Sequence, residues 1–141
     1  MSRLRISLLA VPVVLVALGA GALSAAASPA PPGATLFPSR CTNESFEPKG
    51  IVVACADDGI FTKRMQWSSW TRHHAEGKGV AHINTCNPSC SAGNFKKAPA
   101  TVRLSETKRC GANRQFTLLK IRYNKPVSGP QRQSYPFPCA T

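Results

Sequence analysis

Six cysteines, Cys41, Cys55, Cys86, Cys90, Cys110 and Cys139, constrain this 141-residue chain more than any other feature. An even number confined to the region after residue 40 reads as three disulfides in an oxidising space. The rival reading is zinc, because Cys86 and Cys90 are spaced x3 and His82 lies four residues earlier. No second close pair accompanies them, so no metal site is assigned. Six cysteines allow many pairings. The expected set is Cys86–Cys90 as a local ring, Cys55–Cys110 across a sheet and Cys41–Cys139 joining the ends.

The start of the chain supplies the oxidising space. "MSRLR" is basic, residues 6–23 are uncharged and rich in Leu, Val and Ala, and "SAAASPA" follows. A basic start, an apolar middle and small residues describe a secretory signal peptide over residues 1–27, cleaved near Ala27. An uncleaved anchor is the alternative, but Pro12 and the Gly19/Gly21 pair weaken a spanning helix, so no stable membrane insertion is expected after cleavage. Residues 28–40 include "SPAPPGATLFPS" and read as a Pro-rich flexible lead-in. Residues 41–141 read as one disulfide-rich domain.

Inside that domain the pattern is short alternating segments. "IVVACA" (51–56) is apolar and β-branched, and "DDG" after it is a hairpin signal. Residues 60–69 form the next strand, with Phe61, Met65 and Trp67 on one face and Thr62, Arg64, Gln66 and Ser68 on the other. "EGKG" (76–79) reads as a turn or a Gly-loosened strand start, and "VAHIN" (80–84) as a short third strand. "TVRLSE" (101–106) places Val102 and Leu104 against Arg103. "QFTLLKIRYN" (115–124) places Leu119, Ile121 and Tyr123 against Lys120 and Arg122. The expected fold is all-β: a small antiparallel five-stranded meander, a sandwich or open barrel stabilised by disulfides.

These motifs together carry a resemblance. "IVVACADDG", "WSSW", "CNPSC", "TVRLSE" and "FTLLKIRY" resemble a family of small uncharacterised secreted actinobacterial proteins with an ACADG…WSSW…Cys-x3-Cys pattern. The resemblance covers about residues 48 to 124. It implies export and a disulfide-held domain, and it implies no activity. The His73-His74 pair departs from the Ser/Thr/Gly-rich run expected after WSSW.

Charge is the remaining signal. The chain has 18 Lys/Arg and six Asp/Glu. Only Arg3 and Arg5 leave with the signal segment, so 16 basic residues remain and the net charge is +10. Such a field favours an anionic polymer or an acidic protein surface. The expected contact set is Arg64, Arg72, Arg103, Lys120 and Arg122, with Trp70 as a stacking platform. No catalytic residue is assigned, and no cofactor is implied. Asp57 and Asp58 are adjacent in a turn, unlike the opposed carboxylates of a glycosidase. There is no G-x-S-x-G. The primary expectation is a non-enzymatic binder at the cell envelope or outside the cell. The alternatives are a small secreted nuclease using His73, His74 or His82, and an inhibitor or toxin-like binder acting through its loops.

Overall fold

The computed structural model describes residues 29–56, 59–127 and 129–140. The signal segment, its apolar run and Asp57-Asp58 lie outside them. Among the described residues there are eight strands in one open sheet and no helix long and apolar enough to cross a membrane. The strands are β1 (Thr35–Pro38), β2 (Glu44–Ser45), β3 (Gly50–Val52), β4 (Ile60–Trp70), β5 (Ala75–Asn84), β6 (Phe95–Cys110), β7 (Asn113–Tyr123) and β8 (Arg132–Pro136). Their order is β2-β1-β7-β6-β5-β4-β3, and β8 also pairs with β7. The consecutive antiparallel run β4 to β7 is the body of the sheet.

All five expected strands are present, and three more join them. The missing three come from segments read as lead-in, loop and tail. Residues 35–38 are strand: β1 lies parallel to the start of β7, and Phe37 is fully buried. The folded region therefore begins before Cys41. Phe37 packs edge-on to Phe137, 4.7 Å between centroids, which explains why a Pro-rich segment is drawn into the core.

Strands β5 and β6 are longer than expected because two of their signals mislead. Gly77 and Gly79 are seats for larger neighbours, not turn residues. A β-carbon on Gly77 would lie 2.8 Å from the Trp67 ring, and one on Gly79 2.5 Å from the Met65 sulfur. Pro99 sits in mid-strand opposite Val80. Its carbonyl accepts the Asn124 N–H, so its own missing N–H falls on the β7 side, where β7 pairing stops at Tyr123.

Strand β4 departs most from simple alternation. Its register against β5 slips between Lys63 and Gln66 and again between Trp67 and Ser69. Each slip is a bulge, and Arg64 takes a positive φ of 56° in the first. A bulge turns residues three apart to the same face. Thr62 and Met65 both point inward, and so do Trp67 and Trp70. Phe61 consequently lies on the opposite face from Met65, against the expectation of strict alternation.

The disulfides are Cys41–Cys55, Cys86–Cys90 and Cys110–Cys139, and no cysteine is free among the described residues. The local ring agrees with expectation and the other two pairs do not. Strand β3 ends at Val52, so Cys55 sits in the following turn, 5.8 Å (Cα to Cα) from Cys41 and away from Cys110. Cys110 ends β6 and holds the tail after β8. The buried Gln115 side chain finishes that attachment, donating to the Pro138 carbonyl at 2.8 Å and accepting the Ala140 N–H at 3.0 Å. By loop length, the Cys41–Cys55 and Cys110–Cys139 links each stabilise by about 3 to 4 kcal/mol. Three disulfides mark a protein of an oxidising environment.

Two measurements check this packing. Gly77→Ala is expected to cost about 1–3 kcal/mol, the usual cost of overfilling a packed site, read as a lower urea midpoint with an unchanged slope. Burial, and then the neighbouring Tyr135, push the Tyr123 hydroxyl up to about 12. The fold holds this phenol neutral, so its contribution is complete below its ordinary value of 10.0 and is lost as pH rises through about 12. Tyr123→Phe is expected to flatten the loss of stability over that alkaline window.

Candidate functional site

The antiparallel registers assemble the outer face row by row. One row runs Ser134 (β8), Lys120 (β7), Arg103 (β6), Glu76 (β5) and Ser69 (β4). The next runs Arg132, Arg122, Thr101, Lys78 and Gln66. Arg103 is thus directly opposite Lys120, and Arg122 directly opposite Arg132. Opposed side chains of this kind have β-carbons about 4.5–5.5 Å apart, and like charges there are destabilising. All five cations, Lys78 included, are exposed. Glu76 is the only acid in the two rows. Between the rows lies a groove of about 450 Å³ lined by Arg103, Lys120, Arg122, Arg132 and Glu76.

The same face continues toward the other end of β5. There Lys63 pairs with Val80, which is opposite Pro99, and Phe61 pairs with His82, which is opposite Lys97. Lys63, Arg64, His82 and Lys97 line a second groove of about 250 Å³. The His82 ring stacks on Phe61 with centroids 4.7 Å apart and planes 17° from parallel, and Lys63 Nζ lies 5.1 Å from the Phe61 centroid. Burial lowers the His82 imidazole below its ordinary value, and the charges of Lys97, Lys63 and Arg64 act in the same direction.

Of the six expected contact residues, Arg103, Lys120 and Arg122 come together, and Arg64 lies farther along the same face. Arg72 does not join them. It sits in the β4–β5 turn, where its carbonyl accepts the Thr35 hydroxyl at 2.9 Å, and it lines a separate groove with Arg109 and Arg114. Trp70 is not a platform for a ligand. The second β4 bulge turns it inward, its indole N–H donates to the Thr35 carbonyl at 2.8 Å, and its ring packs edge-on against Trp67, Phe46 and Phe116.

Lys63, Lys78, Lys97 and Arg132 were missed. For Lys78 and Arg132 the signal is the alternation Glu76, Lys78, Val80, His82 along β5 and the Arg132 to Pro136 strand, both hidden by reading Gly and Pro as punctuation; Lys63 was hidden by the β4 bulge, and Lys97 by the early start of β6. His73 and His74 occupy the β4–β5 turn, held by Thr71, whose hydroxyl accepts the His74 N–H at 3.0 Å. Eight residue steps along β5 separate His74 from His82, roughly 26 Å at strand rise, so neither turn histidine shares a site with His82. Among the described residues no three His, Cys, Asp or Glu gather to hold a metal ion.

No family model, curated protein or solved structure matches this chain.

An anion seated among Lys63, Arg64 and Lys97 offsets the charges that depress His82. Bound polyphosphate is therefore expected to raise the His82 titration midpoint, followed by its ring proton shifts in NMR. An unmoved midpoint in the complex would remove this second groove from the interface.

Proposed function

We propose that the protein is a non-enzymatic binder of an anionic polymer, working at the cell envelope or outside the cell after export, and that the outer face of β5 to β8 is its contact surface. The observation that carries this reading is the pair of like-charge oppositions, Arg103 with Lys120 and Arg122 with Arg132, in adjacent rows with Lys78. A fold gains nothing from that arrangement alone. Repulsion between exposed cations is relieved when phosphate or carboxylate groups lie across them, and released counterions add to the affinity. The rows repeat at about 7 Å along the strands, a ladder of positive charge suited to a repeating anionic backbone.

Membership in the small secreted actinobacterial family belongs to the same proposal and bears only on location. With Trp70 inside and no aromatic side chain in the two cationic rows, recognition of bases by stacking has no platform there. The surface answers to charge and not to bases, so it is expected to bind polyphosphate as well as single-stranded DNA.

The test is binding of both polymers as salt is raised. For single strands each neutralised phosphate contributes about −0.7 to the log–log slope, so four or five cations predict a slope near −3. Lys120→Glu with Arg122→Glu is expected to cut that slope by more than a third and to leave thermal stability unchanged or improved, because both opposed like-charge pairs disappear. Absence of binding to either polymer at low salt would defeat the proposal.

A further inference from the structure

A third feature lies away from the cationic rows, where β3 and the start of β4 meet the turn after β1. A cleft of about 520 Å³ opens there, a size that takes one small ligand. Val52 and Phe61, opposite each other on the outer face, line it, and the buried Ile51 lies behind them. Three cations, Arg40, Lys49 and Lys63, also line it, and among the described residues no acid does. Thr62 contributes as well. That residue is 2% exposed, and its hydroxyl has no hydrogen-bond partner among the described residues. That hydroxyl is on the inward side of β4 with Met65, so Thr62 backs the cleft wall.

The walls are fixed in advance. The Val52 N–H donates to the Ser39 carbonyl at 2.8 Å, and the Cys41–Cys55 link joins the turns that follow β1 and β3. A site held in this way loses little freedom when a ligand enters.

We infer that this cleft binds a small amphiphilic organic anion, an alkyl or aryl carboxylate, with its apolar body on Val52 and Phe61 and its charged head toward Arg40 and Lys49. Charge complementarity selects the head and the apolar surface selects the body. A polymer backbone has no such body, so the site is separate from the cationic rows, although Lys63 borders both.

Calorimetric titration of the oxidised protein with sodium octanoate, butyrate and 1-octanol tests it. Octanoate is expected to bind at one site, and butyrate and octanol at least about tenfold more weakly, since each lacks one half of the recognition. Arg40→Glu and Lys49→Glu, both at exposed positions, should each weaken octanoate by about tenfold or more. The Lys120→Glu/Arg122→Glu variant should retain octanoate binding in full, which separates this site from the polymer surface. Backbone amide shifts should centre on Ile51 and Thr62. The inference is overturned if octanoate fails to bind at millimolar concentration, if octanol binds equally well, if the Arg40 and Lys49 variants bind normally, or if the Lys120/Arg122 variant loses as much affinity as they do.

Discussion

Two indole N–H groups hold the first three strands against the meander. Trp67 donates to the Pro48 carbonyl at 3.0 Å and Trp70 to the Thr35 carbonyl at 2.8 Å. The two rings meet edge to face with centroids 4.6 Å apart. Each indole therefore buries a large apolar surface and satisfies a backbone acceptor from a segment too short to pair along its length. Without them, β2 and β3, with two and three residues, have few ladder bonds to hold them in place. The arrangement requires both tryptophans on one face, and the bulge at Ser68-Ser69 provides that. The WSSW motif is thus an instruction for architecture, and the exposed aromatic platform read from it does not exist.

Much of the meander was legible in sequence because its later strands obey simple alternation. Val102 and Leu104, and Leu119, Ile121 and Tyr123, are buried as their spacing requires. Strand β4 was located, and Met65 and Trp67 face inward as expected, but Phe61 and Thr62 exchange faces, since a period of two has no means of showing an extra residue. Glycine and proline misled in a second way. Gly77 and Gly79 lie in β5 because Trp67 and Met65 press on the backbone there, and that cause resides in another strand. The disulfide pairing failed for a related reason: extending β3 by three residues moved Cys55 from a turn into a sheet.

The candidate site was legible where strand parity was. Lys120 and Arg122 follow from the apolar face of β7, and Arg103 from that of β6. Their being opposite one another depends on register, which a sequence of this kind does not display. Lys78 and Arg132 complete the rows only once β5 and β8 are seen at full length. Arg72 lies close to Trp70 in sequence, but the turn directs it to the end of the sheet, where the Thr35 hydroxyl donates to its backbone carbonyl.

Strand β7 has one further property. Its side away from β6 is shared by the first strand, parallel at Arg114–Gln115, and the last, antiparallel over Leu118–Arg122. The longest unpaired border the meander would otherwise offer is closed by the chain's own extremities. The strands that end this order, β2 and β3, are only two and three residues long, and beyond the three residues that β3 covers, the border of β4 is broken by its two bulges. Neighbouring copies thus find little template for joining their sheets into fibrils. Crowded solutions of this protein should therefore resist edge-to-edge association.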